Sequence, residues 1–247
     1  MFNMHPLILV TILLSAISPA WAIDVIERHW QGYDFTVVKV DDLSGLSLKL
    51  NNKRNQPYLS FDAIQTEKPK CPIKFGMNAG MFHQDFSTVG LFVEKGEIRQ
   101  GLNVAKQGGG NFLIQPNGVV YWDQQQAKVV TTDEYQLKNP NPDFATQSGP
   151  MLVIDGKINQ HFIAHSDSLK IRNAVGAYQG QLWFVITEQP INFYHFARFF
   201  RDELKIKHAL YLDGGSVPSL YLPKQKRTVQ RRFLGPMFVW QEKSICE

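Results

Sequence analysis

The chain has 247 residues, 44% of them hydrophobic and 19% charged, with a formal net charge of +4. That apolar fraction and modest charge density exclude an intrinsically disordered chain, and the length suits one domain with a sizeable core. Lys224, Lys226, Arg227, Arg231 and Arg232 crowd into nine residues; without them 21 basic groups face 22 acidic ones, so the basic excess is local.

The first residues read MFNMHPLILVTILLSAISPAWA, an apolar stretch from Leu7 to about Ile17 followed by Ala20-Trp21-Ala22. This small-x-small ending predicts a cleaved secretory signal over 1–22, with an uncleaved anchor as the alternative, and leaves 23–247 as a single domain. No later segment is apolar enough to cross a bilayer, so the mature chain is expected in the periplasm or outside the cell, without stable membrane insertion. Cys71 and Cys246 are the two cysteines. In an oxidising compartment they form one bridge, or else remain two buried thiols.

Short strand-like runs follow one another along the chain: FTVVKV, LSLKL, YLSF, CPIKFGM, VGLFVE, NFLIQ-PNG-VVYW, GPMLVI-DGK-I, AVGAY-QG-QLWFVIT, ALYL and MFVW. Gly, Asn-Gly and Asp-Gly bound most of them. Helical periodicity is strong only after Asn192, where Phe193, Phe196, Ala197, Phe200 and Leu204 recur at three- and four-residue steps. A weaker helix is predicted over Ser60 to Thr66. The fold class is therefore α+β, with strand-rich mixed sheets, a few helices and one strand-helix-strand crossover.

In AVGAYQGQLWFVIT a two-residue turn at Gln179-Gly180 pairs Tyr178 with Gln181, and counting outward sets Arg172 opposite Thr187 and beside Glu188. From Thr187 the chain enters the helix and returns into HALYL, an order that closes as a crossover with parallel strands. Thr187, Glu188, Arg172 and the stretch Asp213-Gly214-Gly215-Ser216 then share one sheet edge, where ligands tend to bind. Two glycines let the backbone swing tightly and approach a ligand, although Asp-Gly-Gly is also an ordinary turn.

Other polar loops are weaker candidates. KFGMNAGMFHQDF ends a strand at Asn78-Ala79-Gly80, with His83 and Asp85 just beyond; this suits a sugar hydroxyl or phosphate oxygen, or a plain Asn turn. Gln147, Ser148 and Gly149 precede an apolar strand, as a cleft lip or as a turn, and no G-x-S-x-G elbow marks a serine nucleophile. Gly108 to Gly110 lack the residues of a phosphate loop, and His161 and His165 lack the context of a zinc motif. Around the basic patch aromatics do not interleave as in a nucleic-acid platform, so no nucleic-acid partner is expected; an anionic glycan fits, as does a solvated hairpin.

MNAGMF, GNFLIQPNG, TQSGPMLVIDGK, RNAVGAY and HALYLDGGS, in this order, resemble the motifs of the phosphodiester glycosidase family, and most closely its small, single-domain secreted bacterial branch. The resemblance covers about Cys71 to Trp240. It implies hydrolysis between a sugar's anomeric carbon and a phosphodiester, as in GlcNAc-1-phosphate esters, and matches Asn78, Gly80, Arg172, Asp213, Gly214, Gly215 and Ser216 to family positions. Where uncovering-type members tend to read Asp-Gly-Gly-Gly-Ser, this chain has one glycine fewer.

A phosphate monoester leaves far more readily than an alcohol, so the demanding tasks are attack at the anomeric carbon and stabilisation of the departing charge. Asp213 is the expected carboxylate and Glu188 its second carboxyl. Arg172 is expected to clamp the phosphate, or else to neutralise Glu188 as a structural pair. Asn78, Gly80, Ser148, Gly149, Thr187, Gly214, Gly215 and Ser216 are expected to bind substrate, a phosphorylated sugar or anionic glycan. No cofactor is implied, and the sequence leaves metal dependence open. The expected function is thus an exported hydrolase of sugar-1-phosphodiesters in envelope or exported glycans. The alternatives are a non-catalytic glycan-binding module and, less favoured, a metal-dependent phosphodiesterase.

Overall fold

A computed structural model describes residues 22–246; the expected leader lies outside them except for Ala22. In chain order the elements are β1 (Ile23–Trp30), β2 (Tyr33–Val40), β3 (Leu46–Lys49), α1 (Phe61–Glu67), β4 (Ile73–Asn78), β5 (Phe92–Glu94) and β6 (Glu97–Gln100). Next come β7 (Gly118–Trp122), β8 (Ala127–Thr131), α2 (Thr132–Lys138), β9 (Phe144–Ser148), β10 (Met151–Ile154), β11 (Lys157–Ile158), β12 (Asn173–Tyr178) and β13 (Gln181–Thr187). Helix α3 (Phe193–Arg198) runs on as a π turn, Phe199–Glu203, into β14 (His208–Tyr211), and β15 (Leu220–Leu222), β16 (Arg227–Val229) and β17 (Met237–Gln241) complete the sheets.

The strands form one seven-stranded sheet, β1-β2-β13-β12-β14-β10-β11, and two five-stranded sheets, β16-β15-β4-β17-β3 and β6-β5-β9-β7-β8. Period-2 alternation sends one face of each sheet into a shared core, where Val38, Phe184 and Leu210 meet Phe75 and Phe238 and, from the third sheet, Val120 and Trp122. Each opposite face is covered by its own helix. Phe196, Phe199 and Phe200, on α3 and its π turn, pack on Phe35, Val37 and Tyr211; Tyr135 of α2 packs on Val119 and Tyr121; Phe61 and Ile64 of α1 pack on Ile73 and Val239. Side-chain oxygens cap α1, α2 and α3 at their N-termini: Ser60 for α1, Thr131 for α2 and Asn192 for α3.

The α+β class is observed, and the β12–β13 hairpin takes the expected register, with Tyr178 opposite Gln181 and Asn173 opposite Ile186. Gln179 and Gly180 both have positive φ, 51° and 79°, as a type I′ turn requires. The crossover also forms, with one difference: β12 lies between β13 and β14 and pairs antiparallel with both, so the two strands run parallel without touching. Two expected strands are corrected. In YLSF only Leu59 bridges, to Leu234, because Ser60 already caps α1. In NFLIQ a 3-10 turn over Asn111–Leu113 and a cis Gln115–Pro116 bond replace the strand, and VVYW pairs with β8 and β9 instead.

Cys71 and Cys246 are disulfide-bonded across 175 residues, tying the C-terminal segment to the entry of β4. Among the described residues no helix is long and apolar enough to cross a membrane. Replacing both cysteines with serine is expected to lower unfolding free energy by about 2–5 kcal/mol, measured by urea denaturation; an unchanged midpoint contradicts a stabilising bridge.

Candidate functional site

The edge where β13 and β14 end and β12 begins carries the Asp213–Ser216 turn, which is held from both sides. On the core side, buried Asn78 at the end of β4 donates its amide to the Asp213 carbonyl at 2.7 Å and accepts the Ser219 N–H at 2.8 Å, closing the turn at both ends. Asn173 donates to the same Asn78 oxygen at 2.9 Å. On the helix side, the Tyr211 hydroxyl lies so close beneath Gly214 that a Cβ there would sit 1.4 Å from it. Gly215 follows at φ +76°, a left-handed conformation that glycine adopts without strain.

Arg172 supports Tyr211 from below. Its Nη1 donates to the Tyr211 hydroxyl at 3.4 Å, Nε to the Ile191 carbonyl at 2.7 Å and Nη2 to the Ser168 carbonyl at 2.8 Å. The guanidinium also stacks on Phe193, 3.7 Å from the ring centre. It is 1% exposed, burial pulls its pKa down, and it has no carboxylate partner among the described residues.

The expected place of Arg172 at a cleft wall beside Glu188 is therefore corrected. Arg172 does sit opposite Thr187, whose hydroxyl accepts its N–H at 3.0 Å. Successive residues of a strand face opposite ways, however, so Arg172 and Thr187 turn toward α3 while Glu188 turns to the other side. There Glu188 pairs with Arg227 and accepts from Thr36 at 2.9 Å.

Asp213 opens instead into a cleft of about 740 Å³ walled by Phe82, His83, Phe86, Arg231, Arg232 and Phe233. Desolvation pushes its carboxyl up from 3.8 to about 7, against the Gly214 N–H, which pulls it down. Burial holds Tyr211 up at about 12, with Arg172 opposing and the Asp213 carboxylate adding to the rise. Gln230 donates to the Leu59 carbonyl at 3.0 Å, and Leu234 N–H to the same atom at 2.9 Å, which brings the two arginines to the cleft. Phe233 is 65% exposed beside them.

The remaining expected residues divide. Thr187, Glu188, Gly215 and Ser216 border a smaller depression of about 90 Å³ across the turn, and Arg231 lines both. Gly80 packs against the backbone of Gln147, where a Cβ would lie 2.3 Å from the carbonyl oxygen, and Gly149 precedes a cis proline against Phe112. Ser148 is fully buried, and its Oγ has no hydrogen-bond partner among the described residues. The cleft aromatics were missed as site residues, and Arg231 and Arg232 were read only as part of the basic patch that suits an anionic glycan or a solvated hairpin. The signals were an aromatic pair four apart in FHQDF and an apolar residue directly after two arginines. His161 and His165 lie on an exposed loop, and no group of three or more metal-binding side chains gathers among the described residues.

A family model described as phosphodiester glycosidase matches residues 72–238. YigE of Escherichia coli (strain K12), named as an uncharacterized protein, is 36% identical over 151 residues, which cover 61% of this chain and 58% of that relative. The match thus spans less than two thirds of YigE. Among solved structures, the catalytic domain of zebrafish N-acetylglucosamine-1-phosphodiester alpha-N-acetylglucosaminidase, auto-inhibited by its pro-peptide, aligns at TM-score 0.64 and 15% identity, covering 92% of this chain and 85% of that one. A hypothetical protein from Synechocystis aligns at 0.55 and 14% identity, over 90% and 62% respectively. At such identities the likeness is one of fold.

Because the Asp213 carboxyl titrates higher in the fold than its ordinary 3.8, the native state binds more protons between about pH 4 and pH 7. Its contribution to stability is present below that window and is lost as pH rises through about 7. Asp213→Asn is therefore expected to raise Tm relative to the native chain at pH 8 and to leave it nearly unchanged at pH 4. A Tm difference that stays constant across this range contradicts the assignment.

Proposed function

The chain belongs to the phosphodiester glycosidase family, and from that premise we propose that it is an exported hydrolase cleaving the bond between a sugar's anomeric carbon and a phosphodiester. The observation that carries this reading is the pairing, in one cleft, of a carboxyl poised near neutrality with two arginines. A base with a pKa of about 7 takes a proton well at physiological pH. Asp213 accepts the proton of a water attacking the anomeric carbon, the C–O bond breaks, and its electron pair leaves with the phosphate monoester. Arg231 and Arg232 balance the charge that gathers on the departing oxygens. A phosphate leaving group needs little help from an acid, so a second carboxyl in the cleft is not required.

Arg172 acts through Tyr211 as a positioning residue, holding the turn that carries Asp213. Asn78 is assigned the same task from the core side. The amides of Gly214 and Gly215, with Ser216, line the bend next to Asp213 and are proposed to meet sugar hydroxyls. Phe82, Phe86 and Phe233 offer faces for the apolar side of a sugar ring. Export is supported by the N-terminal pattern and by the disulfide.

The deciding experiment incubates the purified protein with a panel of sugar-1-phosphodiesters, N-acetylglucosamine-1-phosphodiesters among them, in 18O-labelled water. Label is expected on the free sugar. Label on phosphate indicates P–O cleavage, and no turnover of any substrate leaves a binding module; either overturns the proposal. Asp213→Asn is expected to lower kcat about 10²–10⁴-fold, while Arg231→Ala with Arg232→Ala lowers kcat, and with it kcat/KM, about tenfold or more.

A further inference from the structure

Loop 82–88 separates two depressions. On one side is the Asp213 cleft; on the other lies a second hollow of about 680 Å³ over β5, β6 and residues 50–57. Phe86 lines both. Its backbone is left-handed, φ 68°, a conformation that strains a bulky side chain. The loop sustains it with His83 N–H donating to the Ser87 carbonyl at 2.8 Å, Phe86 N–H to the His83 carbonyl at 2.9 Å, and Ser87 N–H and Oγ to Asp85 at 3.0 and 2.6 Å. The Phe86 ring stacks against Phe82, 5.9 Å between centres at 23°. A strained aromatic is thus fixed where the two hollows meet.

Their linings differ in chemistry. The Asp213 cleft carries Arg231 and Arg232. In the second hollow Lys53 and Arg99 are offset by Asp85 and Glu94, so its formal charge is zero. Two of these charges are met locally as well, Arg99 by Glu97 at 2.6 Å and Glu94 by Lys49 at 3.6 Å. What remains is amide and aromatic: Asn51, Asn52, Asn55 and Gln100 beside the Phe86 ring. Asn51 Nδ2 donates to Asn55 Oδ1 at 3.0 Å, which leaves the Asn51 carbonyl oxygen and the Asn55 amino group to serve as acceptor and donor. Side-chain amides that both donate and accept, next to a ring face, match neutral sugar hydroxyls and not a phosphate.

We propose that this second hollow is a subsite for neutral sugar rings of the same substrate, so that the protein acts on a glycan extending past Phe86 and not on an isolated sugar phosphate. This rests on the glycosidase reading for catalysis, but binding tests it separately. Gln100 lies on β6, away from Asp213, and Gln100→Trp fills the hollow; Lys53→Trp fills it from the facing segment. Two measurements are made on each protein: kcat/KM for N-acetylglucosamine-1-phosphodiesters with and without a further one to three neutral sugar rings, and calorimetric binding of neutral two- to four-ring oligosaccharides of N-acetylglucosamine and of glucose.

The elongated substrate is expected to be favoured at least tenfold through KM. Both fillings should abolish that preference and the oligosaccharide binding while leaving turnover of the short substrate unchanged. Equal kcat/KM for short and long substrates, or a preference that survives both fillings, overturns the subsite. Should neither substrate turn over, the glycosidase reading fails alone: oligosaccharide binding that both fillings remove still supports the subsite, and absence of binding overturns it.

Discussion

A guanidinium buried with no carboxylate partner among the described residues is the constraint on which the site depends. Desolvating such a charge is costly, and Arg172 offsets the cost with two backbone carbonyls, a phenol and an aromatic face. Those partners come from the segment before β12, from the entry to α3 and from β14. Fixing one guanidinium therefore fixes three pieces of chain relative to one another. The last of them, Tyr211, fills the space beneath Gly214, so the turn above has no room for a side chain at that position.

Asn78 completes the constraint from the opposite face of the sheet. One amide takes both the carbonyl that enters the turn and the N–H that leaves it, while its oxygen also receives Asn173. Held between Asn78 and Tyr211, the Asp213 carboxyl stays where water is scarce and its proton is retained to about neutrality. The acid is thus tuned by backbone placement and not by a neighbouring charge.

Much of this was legible in the sequence because hairpin register is set by the turn. Gln179-Gly180 placed Arg172 opposite Thr187, and the crossover placed Asp213 at the same edge. What failed was facing: Arg172 and Glu188 are neighbours in register yet lie on opposite sides of the pleat, a parity that the same count contained. The first hairpin was harder to read, since β1 presents Glu27, Arg28 and His29 to solvent and its apolar alternation is diluted. Helix α2 was hidden for another reason: TDEYQLK is short, and its buried residues amount to Thr132 and Tyr135. Phe82, Arg231 and Phe233 come from loops brought together by tertiary bonds to Leu59 and by packing of Phe82 on Gly235, so the local signals in FHQDF and RRF do not show that these residues meet.

Carbon-13 titration of the Asp213 carboxyl, followed in the native chain and in Arg172→Lys, tests the dependence most directly. In the native chain the carboxyl is expected to titrate at about 7. In the variant, where a lysine cannot reproduce the three-way fork beneath Tyr211, the turn loosens, water enters and the midpoint falls toward 3.8. A native midpoint already near 4, or one near 7 that the substitution leaves unmoved, contradicts a catalytic carboxyl held dry by the buried guanidinium.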